Sequence, residues 1–257
     1  MKLFKRRPKP SKSTSPWQSS HLMKRDFWLI PSFYILPYIV VLLIQVTILA
    51  INPSILQSKE NSFTVNALNL TIDTITLLFV LFIFYLIHIR HGLAKVMWQR
   101  FKLVPRYFWL LIVTYIVVML LDAGYDTLTD YLPKSLQFDE TQNQEEVDQL
   151  FKVGWLTPIT FINVAIITPF VEELLFRHLI IHELGKKITY PVAAVLSVII
   201  FTGIHVTGAT SPFEIGSYIF MAAGLVYVYM KSGRNLAVSI TLHFMFNAVA
   251  SLVSIFS

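Results

Sequence analysis

The chain has 257 residues, 55% of them hydrophobic and 14% charged, with a net charge of +6 and a mean hydropathy of +0.62. A soluble domain carries about 25% charged residues, so the composition excludes an ordinary soluble globule and marks a polytopic membrane protein. Cysteine is absent, which excludes disulfides, thiolate metal sites and a cysteine nucleophile. The positive charge is uneven and no soluble aromatic-and-basic module is visible. Its partner is therefore a membrane surface rather than nucleic acid.

Residues 1–26, MKLFKRRPKPSKSTSPWQSSHLMKRD, are polar, basic and rich in Pro, Ser and Lys, the composition of a mostly disordered tail. Its cations suit anionic headgroups, at about 1 kcal/mol each near the surface; a recognition tail is the other reading. The apolar run that follows exceeds the roughly 7–15 residues of a signal-peptide core.

That first run covers about residues 27–51, with Pro31 and Pro37 in its first half, where neighbouring helices in a bilayer tolerate a kink. The second covers about 65–89. The third covers about 107–121 and leads into the polar stretch DAGYDTLTDYLP. Each is near the ~20 residues needed to cross the hydrocarbon. Residues 122–154 then form the longest loop, with Asp122, Asp126, Asp130, Asp139, Glu140, Glu145, Glu146 and Asp148 against Lys134 and Lys152. No EF-hand pattern is present, so the loop reads as a solvated extracytoplasmic face. Four more helices are expected at about 155–182, 190–205, 214–230 and 236–256.

The basic segments are the N-terminal tail, 90–106, 186–187 and 231–234, and they alternate with connections at 52–64, 122–154 and 206–213 that carry few cations. Seven spans with a cytoplasmic N-terminus satisfy the positive-inside rule at every loop. The expected fold is an all-α transmembrane bundle of about seven spans in a multi-pass cell-membrane protein. Its parts are the tail 1–26, three helices and an acidic loop over 27–154, and four helices over 155–257.

Polar groups interrupt three of the last four runs. In TPFVEELLFRHL, residues 168–179, adjacent Glu172 and Glu173 lie inside an apolar run. Ionisable groups at membrane depth cost on the order of 2.5–3.5 kcal/mol each and mark function by default. Glu173 and Arg177, four apart, share a helix face and pair, whereas Glu172 points about 100° away and is left free to act as a base. Phe201 and His205 in FTGIH, and His243 and Asn247 in HFMFN, are likewise spaced by four. Singly, each has a bland reading as a helix–helix hydrogen bond. Together, they ask for a shared, water-containing interior.

Glu172-Glu173-x-x-x-Arg177, Phe201-x-x-x-His205 and His243-x-x-x-Asn247 resemble, in order and spacing, the motifs of the CPBP intramembrane proteases, also called the CAAX-protease and bacteriocin-processing, or Abi, family. The resemblance covers about residues 155–250. It implies a membrane endopeptidase in which Glu172 is the general base and His205, His243 and Asn247 complete the catalytic site. Glu173 and Arg177 would orient it, with Phe201 packed beside it. The chemistry is coherent on its own terms: hydrolysis needs a base to activate water and donors for the developing oxyanion. Glu172 suits the first, His205 positions the same water, and His243 with Asn247 supplies the donors. The implied substrates are membrane-anchored proteins or hydrophobic peptides.

Two points stay open in the sequence. No cofactor is favoured, yet Glu172, His205 and His243 are residue types that bind zinc with a water in the fourth position. H-E-x-x-H is absent, and His178 and His182, also four apart, are a weaker ligand pair, since they sit near the cytoplasmic rim. Counting ~1.5 Å per residue puts Glu172 and His243 about 12–14 Å from the cytoplasmic helix ends but His205 about 22 Å away; a shared site needs tilt or a deeper helix start. Other classes are a non-catalytic scaffold or bacteriocin-immunity protein, and a small transporter with a proton relay, for which no repeated halves are visible.

Overall fold

A computed structural model describes Trp17, residues 19–51, 62–152 and 154–256, with side chains of 48 and 62–66 excepted. The described residues contain helices and no strand. Elements that cross a bilayer must satisfy their backbone internally, and a helix does so within one segment. After a 3₁₀ turn at Lys24–Trp28 come α1 (Leu29–Ile51), α2 (Ser62–His88), α3 (Leu93–Phe101), α4 (Phe108–Thr129) and α5 (Gln142–Phe151). They are followed by α6, a continuous 35-residue helical segment over Gly154–Ile188, then α7 (Tyr190–His205), α8 (Ile215–Lys231) and α9 (Leu236–Phe256). Six helices are long and apolar enough to cross a membrane, and the remaining apolar run, α7, has 16 residues.

The basic segments gather at one end of the bundle. There Asn235 Nδ2 donates to the Arg100 carbonyl, Tyr107 to the Ser232 carbonyl, and Lys186 Nζ to the His21 carbonyl. At the other, acidic end, Tyr125 donates to the Phe213 carbonyl, and Glu214 accepts from the Gln142 amide.

Helix α6 runs through the centre and buries Val171, Leu174, Phe176 and Leu179 in the main apolar cluster with α2, α4, α7, α8 and α9. Helix α1 leaves most of its large apolar side chains outward, the face expected toward lipid. Close approach of α8 to α4 depends on Gly216: a Cβ there would stand 2.2 Å from the Tyr125 ring.

Helix α4 runs on through the polar stretch after residue 121 to Thr129. Other boundaries differ from the expectations. The acidic loop contains α5, capped by Thr141, whose hydroxyl accepts from the Gln144 amide. Helix α6 extends to Ile188 rather than ending near 182. The membrane-proximal part of the N-terminal segment is packed, with Trp17 4.6 Å from His88 and 6.1 Å from His178, centroid to centroid. Residues 1–16, most of the expected disordered tail, lie outside the described residues.

Candidate active site

The extra length of α6 removes the depth mismatch. Glu172 stands 16 residues before Ile188, and His205 stands 15 residues after Tyr190, so both lie about 22–24 Å along their helices from the turn that joins them. His243, only seven residues into α9, reaches the same level because the turn before α9 is itself sunk into the protein, with Ser232 and Asn235 buried. The site is thus deeper than counted, near the acidic end, where His205 closes α7.

There the predicted residues meet. Glu172 Oε1 lies 3.7 Å from His205 Nε2, and Glu172 Oε2 lies 3.4 Å from His243 Nε2. His243 Nδ1 lies 3.0 Å from Glu173 Oε1, and the same oxygen lies 3.1 Å from Arg177 Nη1. The expected Glu173–Arg177 pair is therefore present, fully buried. It is an ion pair rather than a well-directed hydrogen bond, since Nη1 lacks a hydrogen-bonding angle and Nη2 donates to the Ala222 carbonyl at 3.4 Å. Glu173 Oε2 and Arg177 Nε are buried with no hydrogen-bond partner. Leaving such atoms unpaired costs about 1–3 kcal/mol each, a cost that a purely structural pair has no reason to retain.

The partners fix the imidazole tautomers. His205 Nδ1 is 2.8 Å from the Phe201 carbonyl; a carbonyl only accepts, so Nδ1 carries a proton. His243 Nδ1 likewise donates to Glu173. Both rings therefore turn Nε2 toward Glu172, free to accept from water or, once protonated, to donate. Phe201 is buried, stacked on His205 at 4.2 Å and edge-on to His243 at 5.9 Å, and the Arg177 guanidinium lies over its ring, 5.0 Å from the centre. It thus packs against both imidazoles.

Asn247 has a second employment. Residues 162–167 of α6 are π-helical, and in that pattern the carbonyl of Val164 would take its bond from residue 169. Pro169 has no N–H. Asn247 Nδ2 supplies the missing donor at 2.9 Å, leaving its second N–H for other use. A second π-helical stretch, 174–184, follows the glutamates directly; such stretches are frequent at functional sites.

Sequence reasoning missed Tyr218. Its ring lies 5.0 Å from that of His205, and its hydroxyl bonds Thr141 Oγ1 at 2.8 Å, which ties the acidic-end helix α5 to the site. A tyrosine in an apolar run carries no spacing signal. Asn163 was missed too; it bridges α6 to α2 through Thr74 Oγ1 at 2.7 Å.

The donor set Glu172, His205 and His243 is of a kind that holds zinc. Each histidine has its Nδ1 tied to a carboxylate or carbonyl, as metal-ligating histidines do. A bound zinc would supply a more acidic water.

Residues 154–249 match the family model for type II CAAX prenyl endopeptidases, Rce1-like. This segment is similar to an Rce1-like domain. The match agrees with the CPBP resemblance carried by the three motifs and covers the helices that bear the site. No curated protein and no solved structure gives a significant match to the chain. The Rce1-like domain makes membrane-protease activity the general expectation, with a membrane protein or peptide as substrate.

Proposed function

We propose that the protein is an intramembrane endopeptidase in which Glu172 activates water for attack on a peptide bond of a membrane-anchored protein or hydrophobic peptide. The observation that carries this reading is the placement of one carboxyl between two Nε2 atoms, at 3.4 and 3.7 Å, with each imidazole held from behind. Glu172 takes a proton from water and the oxygen bonds to the carbonyl carbon. The carbonyl oxygen becomes an oxyanion. His205, anchored on the Phe201 carbonyl, orients the water. His243, backed by the Glu173 carboxylate, offers Nε2 as a hydrogen-bonding partner for the oxyanion, and Asn247 has a second N–H to offer it. Glu172 then passes its proton to the departing amide nitrogen as the C–N bond breaks. Arg177 pairs with Glu173 behind His243. The reading needs no metal, and the same three donors leave zinc as a variant of it.

The test uses full-length protein in detergent with a library of membrane-segment peptides, wild type beside Glu172→Gln and His205→Ala. Loss of cleavage in both variants supports the reading. Undiminished cleavage in both overturns it. Activity that survives stringent chelation with no zinc by elemental analysis selects the metal-free form; loss restored by zinc selects the other. Specific binding of a peptide that no preparation cleaves, unchanged in Glu172→Gln, would instead favour a scaffold or immunity protein.

A further inference from the structure

A second cluster of ionisable groups lies at the basic end, and the proposed hydrolysis does not use it. Asp26 comes from the 3₁₀ turn ahead of α1, His88 from the last residue of α2, and His178 from the second π-helical stretch of α6. All three are buried. Asp26 Oδ1 lies 3.0 Å from His88 Nε2 and Asp26 Oδ2 lies 2.8 Å from His178 Nε2. One ligand atom from each lies within 4.8 Å of the others. Arg25 is the cation nearest the carboxylate, at 3.8 Å through Nε, and its side chain is 42% exposed.

We propose that Asp26, His88 and His178 form a binding site for a zinc-class divalent cation that fastens the N-terminal segment to the bundle. Two imidazoles and one carboxylate are a recurrent zinc donor set, and nitrogen donors disfavour magnesium and calcium. Neighbouring ligands around a tetrahedral zinc sit about 3.3 Å apart, given metal–ligand bonds of about 2.0–2.2 Å. The two Asp26–histidine contacts, at 3.0 and 2.8 Å, would open by a few tenths of an ångström, and ligand atoms that lie up to 4.8 Å apart would close toward the metal. A cation there also neutralises a buried carboxylate whose one nearby full charge, Arg25, is partly exposed to solvent.

Without metal, Asp26 accepts from both Nε2–H groups and Arg25 Nη2 lies 3.5 Å from His88 Nδ1. Binding moves the proton of each neutral imidazole from Nε2 to Nδ1, with no net loss. Arg25 must then release His88, and His91 Nδ1, already 3.2 Å from the same guanidinium nitrogen, receives it. A cavity of about 420 Å³ borders His178 and is walled by Trp17, Phe84, Arg100 and Arg234. Trp17 packs on both histidines of the cluster and donates to the His91 carbonyl at 3.3 Å. The segment the metal would hold is thus also a wall of that cavity.

The experiment equilibrates tag-free, full-length protein in detergent with zinc, removes loosely held metal and counts the remainder, comparing wild type with Asp26→Asn, His88→Gln/His178→Gln and Glu172→Gln/His205→Gln. The expected result is one zinc per chain, bound at least tenfold more weakly in the first two variants and unchanged in the third with respect to this site. Cobalt(II) in place of zinc should give the visible bands of a four-coordinate nitrogen–oxygen site, absent from Asp26→Asn. Tryptic cleavage after Lys24 and Arg25 should slow with zinc in wild type and not in His88→Gln/His178→Gln. Melting curves without metal establish that each variant is folded. No zinc retained by wild type, or zinc retained equally by folded Asp26→Asn and His88→Gln/His178→Gln, overturns the proposal. Zinc lost only from Glu172→Gln/His205→Gln does the same while supporting the catalytic-site metal, so the two sites are told apart.

Discussion

Asn247 Nδ2 donates to the carbonyl of Val164 across the α6–α9 contact at 2.9 Å, replacing the backbone donor that Pro169 lacks. Asn247→Ala should therefore lower stability in detergent by about 1–2 kcal/mol, the range of interhelical membrane hydrogen bonds. Pro169→Ala restores a backbone N–H at 169, so the penalty of Asn247→Ala should shrink in that background. Denaturation of the four proteins closes the cycle.

Arg177 and Glu173 are both fully buried. Removing either leaves an uncompensated charge, so Arg177→Ala and Glu173→Gln should each cost about 3–5 kcal/mol. The double variant Glu173→Gln/Arg177→Met leaves no buried charge at the pair and should be more stable than either single variant. It should still lack activity, because His243 has lost its anionic backing. Unfolding curves together with a cleavage assay read both.

Glu172 behaves differently. It retains 15% side-chain exposure, and its carboxylate faces the two Nε2 atoms at 3.7 and 3.4 Å. Glu172→Gln should leave the unfolding midpoint nearly unchanged while reducing cleavage by about a hundredfold or more, the scale of general-base loss. A variant that melts early would place Glu172 among the structural residues instead.

Gly216 leaves no space for a side chain beside Tyr125. Gly216→Ala should cost about 1–3 kcal/mol by overpacking. Against Tyr125→Ala the same change should be nearly neutral, a coupling that a double-mutant cycle measures.

The motif-bearing helices were legible because i, i+4 spacing turns pairs of polar residues to one face, and Glu173–Arg177 and Phe201–His205 lie as that spacing requires. The length of α6 was not legible. Glu183 and the two following lysines look like a water-exposed rim, yet Glu183 is buried, held by Lys186 Nζ at 2.6 Å and the Met23 amide at 2.7 Å. The lysine is a local i, i+3 neighbour, but the amide is 160 residues away and is supplied only by tertiary placement. The same holds for Asp26: in sequence it is one more charge in a polar tail, and only the fold sets it between His88 and His178. Helix α5 escaped notice because its stability comes from Thr141 and its packing beneath Glu214, rather than from an apolar stripe.

Two π-helical stretches, 162–167 and 174–184, bracket Thr168–Glu173. Each winds its residues more widely than the α-helix it interrupts. Deleting a residue from either stretch would let it relax toward ordinary winding, swinging the glutamates against one half of α6 while leaving the other half in register. The protein thereby has two hinges of sequence length at which one-residue insertions and deletions, usually ruinous inside a membrane helix, would retune the aim of Glu172 and spare the fold.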